Sequence, residues 1–114
     1  MTNRICMALD LIDDPEMIQQ YDRYHQEVWP EVLDSIRQSG IEVMEIYRTG
    51  NRLFMIMEVN DSFDLEKKAQ FDTENPKVLE WERLMSTLQQ PLRWAQPNQK
   101  WVPMQKIFEM YNEG

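Results

Sequence analysis

Three side chains on one predicted helix have the types and spacing to act together on a small ligand. Tyr21, His25 and Trp29 are four residues apart, so on a continuous helix they share one face, with the imidazole between a phenol and an indole. Histidine exchanges its proton near neutral pH, and aromatic rings offer flat surfaces on which a sugar ring can lie. The same spacing is expected of aromatic core positions around a hydrogen-bonded histidine. Spacing alone does not separate the two interpretations.

A second pair of candidates lies on a later predicted helix. Trp81 falls on the apolar stripe of that helix, and Glu82 lies one step round from it. A carboxylate there can hydrogen-bond sugar hydroxyls or transfer a proton, or it is a solvated side chain beside a core tryptophan. Glu45 and Tyr47 are polar groups in an apolar strand and share one face by alternation. Each of them either reaches a cavity or marks a sheet edge.

Other kinds of chemistry have little support in the sequence. The chain has one histidine and one cysteine, Cys6, which excludes a cysteine-based zinc site and an internal disulfide, while an all-carboxylate magnesium site stays open. Cys6 lies in an apolar run and is interpreted as a buried side chain rather than a nucleophile. With three glycines there is no phosphate-binding loop, and nothing beside the histidine indicates haem. The residue types therefore indicate no cofactor and, apart from that open magnesium site, no metal.

Charge and length restrict the class of protein. Twenty acidic and twelve basic residues give a formal net charge of −8, the wrong sign for binding nucleic acid or anionic membranes. A neutral small molecule or a protein partner is easier to accommodate. No apolar run approaches the roughly 20 residues that span a bilayer, and the N-terminal residues do not read as a signal peptide, so we expect a cytoplasmic protein. A chain of 114 residues suggests a single domain, 1–114.

The elements that must hold the candidates follow from periodicity and turn signals. Asp14 and Pro15 begin a helical pattern that runs to Ser39 and ends at Gly40, and Pro30 inside it predicts a kink or break between residues 26 and 30. A hairpin turn, "TGN", joins the second and third strands, and "QQPLRWAQPNQK" is a predicted long loop. The strand-like runs cover residues 4–11, 41–48, 52–59 and 101–111, and the other helical runs cover 61–71 and 77–88. Asn75 and Pro76 supply the N-cap and the first helical residue of the last run.

This order of elements predicts an α+β fold. Strand, helix, strand, strand, helix, strand is the ferredoxin-like βαββαβ arrangement, a four-stranded antiparallel sheet with both helices on one face. The strands are apolar on both faces, so something must cover the face without helices. A second copy of the chain is the simplest cover, which predicts a homodimer in the form of a dimeric α/β barrel.

The segment "YDRYHQEVWPEVLDSIRQSGIEVMEIY" resembles the L-rhamnose mutarotase family. The family's pattern in this region is tyrosine, three residues, histidine, three residues, tryptophan-proline-glutamate, and then glycine before a strand containing tyrosine. The later runs "NRLFMIMEV", "VLEWERLM" and "MQKIFEM" follow in the family's order, so the resemblance covers nearly the whole chain. Members of the family are ferredoxin-like homodimers that interconvert the α and β anomers of a 6-deoxy sugar without cofactor or metal.

The resemblance also implies roles for individual residues. His25 corresponds to the acid/base histidine, Tyr21 to a sugar-contacting tyrosine, and Trp81 to the first of two adjacent tryptophans in the sugar pocket. Met44 stands where rhamnose enzymes carry a tyrosine, and Glu82 where they carry the second tryptophan. These departures leave both L-fucose and L-rhamnose as candidate sugars.

The hypothesis that follows assigns two proton transfers and a stacking surface. His25 handles one proton, Glu82 or a tyrosine such as Tyr21 or Tyr47 handles the other or orients the sugar, and Trp81 stacks on the sugar together with Trp29. The competing readings share the predicted topology. They are a dimeric α/β-barrel protein that binds a small molecule, a small monooxygenase, and a sugar-binding module without turnover.

Overall fold

One open antiparallel sheet with helices on one face organises the chain, and the computed structural model describes residues 3–112 of it. The elements in chain order are β1 (Asn3–Leu11), α1 (Pro15–Tyr24), α2 (Pro30–Gln38), β2 (Ile41–Thr49), β3 (Arg52–Val59), α3 (Leu65–Glu74), α4 (Pro76–Ser86), β4 (Gln89–Gln90) and β5 (Val102–Pro103). The strand order is β2-β3-β1-β4, with β5 also paired to β1. The predicted α+β, ferredoxin-like arrangement is confirmed, with the fourth strand divided into β4 and β5.

Two helices rather than one occupy residues 15–38. Asp14 is the N-cap of α1, and its carboxylate accepts a hydrogen bond from the backbone N of Glu16 at 2.9 Å. α1 ends at Tyr24, and α2 begins at Pro30. Proline has no N–H and its ring crowds the preceding turn, so it fits the first turn of a helix but not the middle. The predicted break before Pro30 is confirmed.

Side-chain alternation gives the sheet one fully buried face. Leu9, Leu11 and Leu53 are at most 1% exposed on the face that the helices cover. Leu11 and Leu53 belong to a core cluster with Tyr21, Trp81 and other apolar side chains of α1, α2 and α4. The opposite face, which we call the outer face, is incompletely covered. We infer from alternation that it carries the side chains of Phe54, Ile56 and their neighbours.

Gly40 makes the sharp turn from α2 into β2. Its φ is +96°, a region that side chains with a Cβ rarely adopt. A Cβ at this position would lie 2.6 Å from Asn60 Oδ1, so the close approach of the β3–α3 connection also requires a glycine. The predicted end of the helical pattern at Gly40 is confirmed.

The C-terminal segment differs most from its prediction. The predicted strand over residues 101–111 is wrong, because only Val102 and Pro103 pair with β1. Met104 N donates one further hydrogen bond, to Cys6 O at 2.8 Å, and residues 104–112 have no regular secondary structure. We call residues 104–111 the C-terminal arm. Its large apolar side chains are exposed. They are Met104 (49%), Ile107 (92%), Phe108 (80%), Met110 (69%) and Tyr111 (76%).

Two other boundaries shift for local reasons. The helical piece predicted at 61–71 runs from Leu65 to Glu74, because Asp64 caps it by accepting a hydrogen bond from Glu66 N at 2.9 Å. The predicted loop over 89–100 begins with β4, which pairs with the last two residues of β1. Within residues 3–112, no helix is long and apolar enough to cross a bilayer.

Candidate functional site

Five ring side chains meet where α1, α2 and α4 converge. The rings of Tyr21 and His25 have centroids 4.3 Å apart, and His25 contacts the edge of Trp81 at 5.6 Å. Trp81 also meets Trp29 at 5.2 Å and Tyr24 at 6.2 Å, both in edge-on geometry. We call these five residues the aromatic cluster. The break in the helix means that Trp29 joins His25 through Trp81 of α4 rather than along one continuous helix face.

His25 is held in one orientation and one tautomer. It caps the C-terminus of α1, and its Nδ1 lies 2.9 Å from Tyr21 O. A carbonyl oxygen only accepts hydrogen bonds, so Nδ1 carries the proton and, in the neutral ring, Nε2 keeps a free lone pair. Burial lowers the pKa of His25, an effect that the Tyr21 carbonyl and the Asp22 carboxylate oppose. The imidazole is therefore neutral at pH 7, with a basic nitrogen available.

Tyr21 is the most buried member next to the histidine. It is 3% exposed, and burial raises the pKa of its phenol above the usual range, with a smaller contribution from the negative charges of Glu82 and Asp22. A hydrogen bond from the Gln89 side chain acts in the opposite direction. Tyr21 therefore keeps its phenolic proton and is suited to hydrogen bonding rather than to proton transfer.

Glu82 lies at the margin of the cluster, as its place beside Trp81 in the sequence predicts. Its side chain is half-exposed, and Lys100 Nζ lies 3.9 Å from its Oε2. Partial burial, which removes water from the carboxylate, raises the pKa of Glu82, while the charge of Lys100 acts to lower it. A carboxyl group of this kind is closer to giving up or taking a proton near neutral pH than an isolated glutamate.

An ion pair ties the last turn of α1 to the β2–β3 hairpin. Arg48 donates to both oxygens of Asp22, from Nε at 2.9 Å and from Nη2 at 2.6 Å. Arg48 Nη1 also donates to Gly50 O at 2.7 Å. This two-point contact fixes the turn of α1 that carries Tyr21 and His25 relative to the sheet.

The candidates on β2 lie apart from the aromatic cluster. Ile46 packs against the core that contains Tyr21, so by alternation Tyr47 and Glu45 lie on the outer face, where Tyr47 is 54% exposed. Met44 is on the helix-covered face and contacts a second core cluster near the other end of the sheet. Within one chain, the structure does not bring Tyr47 to His25.

Gln89 is a residue of this region that the sequence did not single out. It pairs with Leu11 in β4, on the sheet face that the aromatic cluster covers. Its Oε1 is buried and has no hydrogen-bond partner among the residues that the structure describes. In the sequence, Gln89 stands at the start of a polar run, and nothing in its type or spacing marks it out.

Two surface cavities lie elsewhere. One of about 420 Å³ is lined by residues at the far ends of β1 and β3, including Asn3 and Val59, and one of about 250 Å³ lies between Gln38 and Phe71. Neither is lined by a member of the aromatic cluster. In the part of the chain described, no three histidine, cysteine, aspartate or glutamate side chains are arranged to hold a metal ion.

The sequence and the fold are similar to those of known sugar mutarotases. The family model described as L-rhamnose mutarotase matches residues 4–110. An L-fucose mutarotase from Xanthomonas campestris pv. campestris is 43% identical over 109 residues, which is 94% of this chain and 87% of the relative. An L-rhamnose mutarotase from Paraburkholderia phytofirmans is 28% identical over 68 residues, 58% of this chain and 64% of the relative. The crystal structure of an L-rhamnose mutarotase from Formosa agariphila, 21% identical, matches with a TM-score of 0.69 over 96% of this chain and 99% of that one, which is a likeness of fold.

Proposed function

Because the chain belongs to the L-rhamnose mutarotase family, we propose that it is a mutarotase that interconverts the α and β anomers of a 6-deoxy-L-hexose. One observation carries this proposal: the His25 imidazole is neutral and has a free Nε2 inside a cluster of aromatic rings. Opening a sugar ring needs an acid/base group for proton transfer, and aromatic surfaces can hold the sugar beside that group.

The proposed reaction needs only proton transfers. Nε2 of His25 takes the proton from the anomeric hydroxyl while the bond between C1 and the ring oxygen breaks and a second group delivers a proton to that oxygen. The aldehyde then rotates about C1–C2, and closure on its other face returns both protons. No electrons are gained or lost. A positioned acid or base contributes about 10²–10⁴-fold, which is sufficient for a reaction that already proceeds in water.

We assign the second proton to Glu82. Tyr21 is disfavoured because burial raises its pKa and makes the phenol a weaker acid, so we assign it a hydrogen bond to the sugar. Tyr47 is disfavoured because it lies on the outer face of the same chain. Glu82 follows Trp81 on α4, its side chain is half-exposed, and its raised pKa suits proton exchange. Trp81 and Trp29 would contact the apolar face and the methyl group of the sugar.

L-Fucose is the proposed sugar. The relative that is 43% identical over 94% of this chain is an L-fucose mutarotase, whereas the L-rhamnose mutarotase is 28% identical over 58% of it. Glu82, beside Trp81, also replaces the second tryptophan of the rhamnose pattern with a carboxylate. A pocket with different hydrogen-bonding groups is expected to prefer a different arrangement of sugar hydroxyls.

Two substitutions test the assigned proton-transfer groups. His25→Asn should slow anomer exchange by about 10²-fold or more while the far-ultraviolet circular dichroism stays unchanged. Glu82→Gln should also slow exchange, and its matched control, Glu66→Gln at an exposed position of α3, should not. Unchanged exchange in His25→Asn would remove this residue from the mechanism. Sugar binding without exchange in the unmodified protein would indicate a binding module, and oxygen-dependent turnover would indicate a monooxygenase.

A homodimer is part of the proposal. The outer face exposes Val43 (39%) and Tyr47 (54%), and the C-terminal arm exposes most of its apolar surface within the single chain. A second copy of the chain can cover both, because each copy offers the same outer face and the same arm. We also propose a cytoplasmic location, which the single unpaired cysteine of the sequence supports.

Solution mass tests the dimer. Light scattering after size-exclusion chromatography should give twice the chain mass of 13.8 kDa. Replacing Ile107 and Phe108 with lysine should lower the mass toward one chain, and the matched control, lysines at the exposed positions Glu66 and Gln70 of α3, should leave it unchanged. A mass of one chain for the unmodified protein would contradict the proposal.

A further inference from the structure

Gln89 lies on the same side of the sheet as the aromatic cluster. β4 pairs antiparallel with the end of β1, so that Gln89 is opposite Leu11 and Gln90 is opposite Asp10. Directly opposed residues of an antiparallel pair point to the same face. Leu11 is fully buried against Tyr21 and Trp81, so the Gln89 side chain is on their face and the Gln90 side chain is on the outer face.

The two ends of the Gln89 amide are in different situations. The amide nitrogen is the donor end, and donation from it to the Tyr21 phenol accounts for the effect of Gln89, which lowers the Tyr21 pKa. The other end, Oε1, is buried and accepts no hydrogen bond within residues 3–112. A buried acceptor without a donor costs free energy, so such atoms are uncommon and call for a reason.

We propose that Gln89 is a sugar-binding residue whose Oε1 accepts a hydrogen bond from a hydroxyl of the substrate. This inference rests on the mutarotase function proposed above. An amide oxygen can pair only with a donor, so it recognises a hydroxyl and not the ring oxygen or the methyl group of a 6-deoxy sugar. It therefore contributes to the choice between sugars that differ in the direction of one hydroxyl.

The free protein and the complex would differ at this atom. Because Oε1 is closed off from solvent, a sugar hydroxyl reaches it only when the side chains around it move apart. The hydrogen bond that then forms relieves an existing cost instead of exchanging one partner for another. The residue would thus be unfavourable for the free fold and favourable for substrate binding, a trade-off that is common at functional sites.

The test compares Gln89→Met with Gln90→Met. Methionine has nearly the shape of glutamine and lacks the amide, and Gln90 is the adjacent glutamine on the other face. The rate of anomer exchange, measured by saturation-transfer NMR against L-fucose concentration, should give a KM about 3- to 10-fold higher for Gln89→Met. The thermal midpoint should stay close to that of the unmodified protein, and Gln90→Met should have an unchanged KM.

Deoxy sugars separate a binding role from a structural one. Among L-fucose analogues that each lack one hydroxyl, one should have the same KM with the unmodified protein and with Gln89→Met, because the partner of Oε1 is missing. If Gln89→Met folds poorly, Gln89→Asn withdraws the same amide by one methylene and should raise KM in the same way.

The outcomes separate this inference from the proposed function. An unchanged KM in both Gln89 variants, while the unmodified protein accelerates exchange, would overturn the role of Gln89 alone. A KM increase of equal size for every analogue would also overturn it. No acceleration by the unmodified protein would overturn the mutarotase function and this role together.

Discussion

Trp81 connects the stability of the chain to its proposed activity. The side chain is 5% exposed and meets Tyr24, His25 and Trp29 edge-on at centroid distances of 5.2 to 6.2 Å. Trp81→Ala removes the centre of this cluster and leaves a cavity, a change that typically costs about 3–5 kcal/mol. Domains of this size are commonly stable by about 5–15 kcal/mol, so most of the variant should stay folded at 25 °C.

Trp94 provides the matched control. It is 56% exposed, and the Arg52 guanidinium lies over its ring at 5.7 Å. An exposed cation–π contact is worth about 0.5–1 kcal/mol, so Trp94→Ala should cost no more than that. With a denaturant slope of about 2 kcal/mol/M, the urea midpoint should fall by roughly 2 M in Trp81→Ala and by less than about 0.5 M in Trp94→Ala.

The assay is urea unfolding followed by far-ultraviolet circular dichroism, which does not depend on the tryptophan that is removed. All variants are compared at one protein concentration, because the stability of a dimer depends on it. The same samples are assayed for anomer exchange, which should be strongly reduced only in Trp81→Ala. Equal costs for the two substitutions, or a fully active Trp81→Ala, would refute the central position of this indole.

Titration of His25 and the turn at Gly40 give two further tests. Because burial lowers the pKa of His25 below 6.5 and the neutral ring is the base, the loss of exchange rate that protonation of His25 causes should appear only below pH 6.5, as the pH drops through the lowered pKa. The unfolded chain binds this proton more readily, so the stability that the shift contributes is fully present above pH 6.5 and lost as the pH falls toward the folded pKa. A loss of rate on acidification that is already complete above pH 6.5 would contradict this environment of His25. Gly40→Ala adds a contact of 2.6 Å to a positive φ, whereas Gly50→Ala has a positive φ and nothing within 4 Å. Gly50→Ala should cost about 1–2 kcal/mol of stability, and Gly40→Ala should lower the urea midpoint clearly more. Equal midpoints for the two variants would contradict the clash at Gly40.

Local signals predicted most of the fold. The proline at position 30 placed the helix break, the caps at Asp14 and Asn75 placed two helix starts, and "TGN" placed the hairpin. Each of these depends on a few neighbouring residues. The prediction of a closing strand over residues 101–111 was wrong. The apolar residues from 104 onward have the composition of a strand whether or not the segment pairs with a sheet. Whether such a segment pairs depends on a free edge elsewhere, and only residues 102–103 form a strand with β1.

The candidate site was predictable to a similar extent. Helical spacing and family resemblance placed Tyr21, His25 and Trp81 in one region, and the structure brings them together. The same reasoning could not place Tyr47 on the outer face, because the face of a strand residue depends on which side the helices pack. Gln89 was missed because a glutamine in a polar run has no periodic signal, and its importance comes from a single unpartnered atom.

The rate of anomer exchange in two sugars is the most direct test of the proposed mutarotase function. Saturation-transfer proton NMR on the anomeric signals of L-fucose and L-rhamnose, each with and without a catalytic amount of the protein, measures the proposed reaction itself. We predict faster exchange with the protein, and a larger acceleration for L-fucose. A larger acceleration for L-rhamnose would contradict the assigned sugar. Rates equal to those in buffer for both sugars would contradict the mutarotase function.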